Sequence, residues 1–468
     1  MNDELWRLGA CEVATGIRNG DFKSREVVED CLNRVNEINP DINALTEIAT
    51  DRALDAAESA DKTLREGKPP GILHGVPVTI KGNVDLAGSV TVNGCAALQE
   101  NVAQENSPVV QNLLDAGAIV IGRTNTPEFC VRWETNNDLY GATKNPWNLS
   151  LTPGGSSGGA AASVAVGITP LAHGTDLGGS LRHPAQACGV ASIRPTLGRV
   201  PDYVPSEQEA AMGSQLMNTD GPIARSVADV RLGLQAMSKR DWRDPWWVPT
   251  PLIEPEPGDL PIAVITDPLG QGVDDQVAGG VINASEILAS TGYQTEQAEP
   301  TTLADAIKVW ENVLIWEVFA VLEPAVKDFC GPSLLKAFDH YRIGFNDVVA
   351  ENYPLAFAER RRVLRDWMGF FRRYSVIVAP VSTNPPQVTD FDIATPESTA
   401  NSIQSMRMLV AVNALGLPSV VVPVGVKDGL PQAVQVIGAP FQELRCLQVA
   451  ETIEKQVTQR TPVNLNGV

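Results

Sequence analysis

Between Thr152 and Ala185 the chain reads TPGGSSGGAAASVAVGITPLAHGTDLGGSLRHPA. Two glycine-flanked serine sites, Gly154–Gly159 around Ser156 and Ser157 and then Gly178-Gly179-Ser180, bracket an alanine-rich run. Glycine inside a helix or strand costs about 0.5–1 kcal/mol relative to alanine, so glycines this dense mark backbone with a special task. They permit conformations barred to other residues and let main chain approach a ligand closely. Whatever fold forms must deliver these two turns intact.

Several chemistries use such loops. In GTDLGGS the glycines can turn successive N–H groups toward one point, the arrangement that stabilises an oxyanion in acyl transfer, with Ser180 placed as nucleophile. Taken alone, GGS is read more simply as a tight strand-to-helix turn. A phosphate cradle fails because no Lys-Ser or Lys-Thr pair follows GGSSGG. Gly154–Gly158 fits the G-x-S-x-G elbow, which requires an acid and then a histidine downstream. The chain has four histidines, His74, His173, His183 and His340, and His340 falls in an apparently helical stretch. Ser333–Lys336 matches S-x-x-K, but neither S-D-N nor K-T-G follows, which leaves a chance match. With histidine scarce, a lysine neutralised by desolvation can act as the base. Lys81, in the apolar run VPVTIKGNV, is the candidate, although spacing does not single it out and a lysine at a strand end is ordinarily solvated.

Helical and apolar-run patterns alternate along the chain. Helices are expected from Ser24, as N-cap, to about Val35, and over Asp51–Arg65. A strand ends at Lys81, and SPVVQNLLDAGAIVIG reads as helix, glycine stop and buried strand. Long helical patterns cover roughly Leu303–Leu322 and Ala356–Arg373. SVIVAP, LGLPSVVVPVGV and AVQVIGAP look like late strands before a closing helix. The prediction is an α/β fold: one large domain over residues 1–468, with a mixed, mostly parallel central sheet flanked by helices. Residues 1–70 supply N-terminal helices, and about 201–300 form a loop-rich variable lobe within the domain.

The motifs then assemble into a resemblance. GGSSGG followed by GTDLGGSLRHPAQACGVASIRPTLGRVP, with Ser180 24 positions after Ser156, resembles the defining segment of the amidase signature family. LHGVPVTIKGNVDLAG resembles that family's lysine strand, and GRTNTPEF with YGATKNPWN its approach to the glycine loop. GPIARSVADV, NALGLPSVVVPVG and LPQAVQVIGAP resemble its later segments, so the likeness covers most of the chain. It implies a serine hydrolase cleaving amide C–N bonds, with Ser180 as nucleophile, Ser156 as the serine that follows a cis peptide, and Lys81 as base. It implies an oxyanion hole from the N–H groups of Leu177, Gly178, Gly179 and Ser180. Asp176 and Arg182 match supporting positions, and Ser157 and Thr175 are read as orienting the relay. One departure stands out: Gly82 follows Lys81 where the family usually has an acid. Losing that carboxylate should ease formation of a neutral lysine.

Substrate is less legible. A stand-alone amidase on small or aryl acyl amides, anilides or carbamates is the first reading, with Trp133, Trp310 and Trp316 as pocket candidates. Each of the three is more simply read as a core aromatic. Trp242, Trp246 and Trp247 fit a surface loop or lid. The alternatives are the glutaminase subunit of a tRNA-dependent amidotransferase and an inactive binding module. That subunit usually reads GSDTGGS where this chain has GTDLGGS, and the complete Lys81, Ser156, Ser180 set disfavours an inactive module.

A net charge of −20 argues against nucleic acid or an anionic membrane as partner. Seven scattered cysteines without a C-x-x-C pair fit free thiols in a reducing cytoplasm. The acidic start and interrupted apolar runs offer neither a signal peptide nor a membrane span. No metal or organic cofactor is expected. The family resemblance leaves a homodimer as the expected assembly.

Overall fold

The computed structural model describes residues 4–255, 260–458, 461, 464 and 465. Eleven strands form one sheet: β1 (Leu45–Ile48), β2 (Pro77–Lys81), β3 (Ile119–Thr124), β4 (Leu171–Thr175), β5 (Ala191–Arg194), β6 (Asp220–Ala224), β7 (Ile262–Val264), β8 (Thr295–Gln297), β9 (Ile377–Pro380), β10 (Ser419–Lys427) and β11 (Leu430–Ile437). Their order is β1-β3-β2-β4-β6-β5-β10-β11-β9-β7-β8. The expected single α/β domain with a mixed sheet is what forms, but its balance differs. Six strand pairings are antiparallel and four parallel, so the sheet is not mostly parallel. The parallel pairs cluster at β3-β2-β4 and at β9-β7-β8.

Position in the sheet explains the sequence of β2. Its five residues are all buried, because helices cover both faces of the parallel segment. Val78 and Ile80 share one face and Thr79 and Lys81 the other, and the polar pair is buried as fully as the apolar one. Between the two glycine loops lies the helix Gly158–Ala165, buried along its whole length and packed on β4 and on the helix Arg182–Cys188. Its residues are glycine, alanine, serine and valine, small enough to let those neighbours close in.

Three sequence expectations shift. The helix expected to start with Ser24 as cap runs over Ser24–Ile42 with Lys23 at the N-cap. The Asp61 carboxylate, 37 residues away, takes the N–H groups of Ser24 and Arg25 at 2.7 and 3.3 Å, and so does the capping. Residues 201–300 are not simply loops: they supply β6, β7 and β8 and the helices Val227–Met237 and Asp275–Ser290. Leu303–Leu322 is α-helical only over Leu303–Trp310, then widens into π-helical turns at Glu311–Ile315 and Val318–Leu322. Among the described residues, no helix is long and apolar enough to cross a membrane.

Candidate active site

β2 and β4 run parallel and side by side, so Lys81 and Thr175, their last residues, emerge at the same sheet edge. Such edges, at the carboxyl ends of parallel strands, are where α/β sheets place ligands. Lys81 is fully buried, its Nζ 2.7 Å from Ser156 Oγ and 2.8 Å from Thr175 Oγ1. Burial pushes its pKa below the ordinary lysine value, while the Cys130 thiol and the Asp176 and Asp220 carboxylates oppose that shift. His173 Nδ1 accepts the Lys81 N–H at 3.4 Å, which leaves Nε2–H to donate to Asp220 Oδ1 at 2.8 Å. Burial, aided by the Lys81 and Arg123 charges, holds His173 down to about 3, and it is neutral. Burial also raises Asp220 to about 7, with Lys81 pulling the other way.

The first glycine loop brings Ser156 to this lysine. The Gly155–Ser156 peptide is cis. Gly155 lies directly on the main chain of Glu134, where any Cβ would collide with the Glu134 N, C and O atoms. Thr135 Oγ1 donates to the Gly154 carbonyl at 2.9 Å and accepts the Gly158 N–H at 3.0 Å, clamping the turn from outside. Ser157 links to the other loop: its N–H donates to the Ser180 carbonyl at 3.3 Å, and its Oγ lies 3.3 Å from both the N and the O of Thr175.

Asp176 organises the second loop. Its carboxylate accepts the Gly179 and Leu181 N–H groups at 2.8 and 3.1 Å, Arg182 Nε and Nη2 at 3.0 Å each, and Asn413 Nδ2 at 2.8 Å. Burial alone would raise its pKa; Arg182, Arg194 and Asn413 carry it down to about 2. Arg182 in turn donates to Gln435 Oε1, to the Leu409 carbonyl and to Asn413 Oδ1. Gly179 sits at φ +108°, and a Cβ there would come within 2.6 Å of Leu409 Cδ1. Among the described residues, the N–H groups of Leu177, Gly178 and Ser180 and the Ser180 hydroxyl carry no hydrogen bond. The sequence expectation counted Gly179 as a free donor too. In the structure its N–H is held by Asp176.

Trp133 and Trp310 meet this loop, with ring centroids 6.0 Å apart. Tyr341 and Phe345 extend the aromatic row. Trp316, the third pocket candidate, is half-buried and makes no ring contact with them. A narrow cavity of about 30 Å³ adjoins Trp133, between His183, Phe391, Asp392 and Met406. Glu134, Asp390 and Asp392 lie close enough together to share a metal ion, but they surround the buried Arg132 guanidinium, which reaches Asp390 at 2.7 Å and Asp392 at 2.6 Å. That group already has its cation. Trp242 is 83% exposed, and Trp246 and Trp247 donate to Gln215 Oε1 and to the Ser238 carbonyl.

Sequence reasoning missed His173, Asp220, Asn413 and Arg123. His173 had a signal: it stands two residues before Thr175 in an apolar strand, on the same face. Asn413 and Arg123 fall within NALGLPSVVVPVG and GRTNTPEF, two segments that carry the resemblance, but nothing local marks either one as a partner of the site. Arg123, fully enclosed, donates to the Lys81 and Val84 carbonyls at 3.2 and 2.5 Å, on the side where Gly82 offers no carboxylate.

Comparison with known proteins agrees with this architecture. Residues 26–447 match the Amidase family model. An indoleacetamide hydrolase of Bradyrhizobium diazoefficiens is 40% identical over 455 residues, covering 97% of this chain and 87% of that protein. A glutamyl-tRNA(Gln) amidotransferase subunit of Natranaerobius thermophilus is 30% identical, covering 98% of each chain. Among solved structures, a bacterial aryl acylamidase of the amidase signature family superposes with TM-score 0.84 at 25% identity over 96% of each chain. A 6-aminohexanoate cyclic dimer hydrolase superposes with TM-score 0.83 at 26% identity over 99% of each chain. The chain belongs to the amidase signature family, whose members hydrolyse amide C–N bonds. It is an amidase.

Proposed function

We propose that the chain hydrolyses the primary amide of an arylacetic acid through an acyl-enzyme on Ser180, with Lys81 and Ser156 as its proton relay. The observation that carries this reading is Lys81: fully buried, depressed in pKa, and hydrogen-bonded to Ser156 Oγ at 2.7 Å. A neutral amine has one lone pair and two N–H bonds. It can take a proton from Ser156 while donating to Thr175.

In this mechanism Ser156 passes the Ser180 proton to Lys81 as Ser180 Oγ bonds to the amide carbon. The oxyanion forms against the free N–H groups of Leu177, Gly178 and Ser180. The relay then returns the proton to nitrogen, the C–N bond breaks, and ammonia leaves. Protonation at that step matters because an amide nitrogen is a poor leaving group. Water, deprotonated by the same relay, attacks the ester and releases the carboxylic acid.

The arylacetamide assignment draws on the row of rings beside the Gly178 loop and on the 40% identical indoleacetamide hydrolase. The glutaminase reading draws on the 30% identical amidotransferase protein, whose likeness also runs the full length. The deciding experiment uses the purified chain and its Ser180→Ala variant with indole-3-acetamide, phenylacetamide, acetanilide, an aryl carbamate and glutamine. Ser180-dependent ammonia release from the first two is expected. Turnover of glutamine alone, or only with added cell extract, would establish the glutaminase reading. Equal turnover by the Ser180→Ala variant would remove Ser180 as nucleophile. We also place the enzyme in the cytoplasm as a homodimer, the latter checked by light scattering at working concentration.

A further inference from the structure

Both buried indoles that face the second glycine loop use their N–H groups on it. Trp310 Nε1–H donates to the Leu177 carbonyl at 3.2 Å, and Trp133 Nε1–H to the Gly178 carbonyl at 2.8 Å. These are consecutive carbonyls of one loop. The two tryptophans come from segments that lie 177 residues apart in sequence.

Peptide planarity gives these bonds a consequence. A carbonyl and the N–H of the next residue belong to one rigid unit and point in opposite directions. Fixing the Leu177 carbonyl therefore aims the Gly178 N–H, one of the three left free. Hydrogen bonding at one end of a peptide also polarises the other end, strengthening it as a donor by about 10–30%. The second peptide is pinned twice: Trp133 holds its carbonyl, and Asp176 Oδ1 holds the Gly179 N–H at 2.8 Å. That double hold fixes the peptide plane from which Gly179, at φ +108°, turns the chain toward Ser180. Trp133 and Trp310 are 7% and 4% exposed, so water does not stand in for either indole.

We propose that the indole N–H groups of Trp133 and Trp310 are positioning groups for the oxyanion loop, holding its peptides in the orientation that stabilises the tetrahedral intermediate. This rests on Ser180 being the nucleophile. A tryptophan that only walls the pocket would act through its ring and would affect substrate binding. A tryptophan that aims an oxyanion donor acts when the oxyanion exists, and so affects the transition state.

The test removes the N–H and keeps the ring. Trp310→Phe and Trp133→Phe are compared with proteins carrying β-(3-benzothienyl)alanine at each position, an indole-shaped side chain without the donor. Hydrolysis of phenylacetamide and inhibition by phenylacetaldehyde, which forms a tetrahedral adduct with a serine nucleophile, are measured together. The expected result is a kcat loss of about 10-fold, smaller than the ~100-fold or more for a deleted donor, with KM within about twofold. Aldehyde affinity should fall by the same factor as kcat. Benzothienyl proteins with unchanged kcat and aldehyde affinity would overturn the proposal, as would a rise in KM alone. If the phenylalanine variants do not fold, the benzothienyl proteins decide. Failure of the nucleophile assignment is separable: the aldehyde would then not inhibit the unmodified enzyme, and Ser180→Ala would keep its activity.

Discussion

Residues 152–200 and residues 303–357 meet at the Gly178 loop, and they are built on opposite principles. In the first stretch only Leu177 and Leu197 are not buried, and its polar groups are tied into the network around Lys81, Ser157 and Asp176. In the second, the helix widens into two π-helical segments, and Val321, Ile343 and Leu355 are 53%, 56% and 67% exposed. One region is held by a buried hydrogen-bond network that leaves the Leu177, Gly178 and Ser180 N–H groups free, and there loss of a partner is costly. The other contributes rings and adaptable helix, the material of a substrate wall; π-helical turns are frequent at functional sites. On the proposed mechanism the first segment carries the chemistry, and the second, apart from the Trp310 indole N–H that holds the Leu177 carbonyl, carries selectivity.

The largest effect belongs to the buried region. Ser180→Ala should lower kcat for phenylacetamide by about 10⁴-fold or more with the fold unchanged, checked by steady-state kinetics and circular dichroism. Lys81→Met should follow at about 10³-fold, with a thermal melt reading separately the modest cost of leaving the Ser156 and Thr175 hydroxyls without their Lys81 partner. The proposed mechanism needs neutral Lys81, so it predicts that kcat/KM rises with pH through the depressed Lys81 pKa and levels off above it. Gly82→Asp places a carboxylate beside Lys81, favours its charged form, and should move that limb upward by about one pH unit. In the aromatic region, Phe345→Ala should raise KM for phenylacetamide about fivefold and leave kcat within about twofold. Trp242→Ala, on a residue 83% exposed, should change neither constant by more than about 1.5-fold. If Phe345→Ala lowered kcat as far as Lys81→Met does, the division between the two regions would fail.

Much of the buried region was legible because local sequence dictates it. The two glycine-serine turns, their 24-residue spacing and the apolar strand ending in Lys81 each need particular residues at fixed positions. What stayed hidden depends on contacts far apart in sequence. Asp61 caps the helix at Ser24 from 37 residues away, so a local search for a serine cap misreads it. Asn413 reaches Asp176 across 237 residues, and neither position shows a pattern pointing to the other. The direction of the sheet was partly readable: Lys427, Asp428, Gly429 and Leu430 turn β10 into β11, and an Asp-Gly pair between apolar runs signals an antiparallel hairpin. The tryptophans were visible as pocket candidates, but their N–H bonds to two loop carbonyls follow only from the packed structure.

The central claim is that Ser180, activated through Ser156 by a neutral Lys81, is the nucleophile. The most direct measurement is peptide mass mapping after reaction with an aryl fluorophosphonate at several pH values, on the unmodified enzyme and on Lys81→Met. The account predicts a single adduct on Ser180, formed faster as pH rises through the depressed Lys81 pKa and slowed by orders of magnitude without that lysine. An adduct on any other residue, or labelling of Ser180 at an unchanged rate in Lys81→Met, would contradict it.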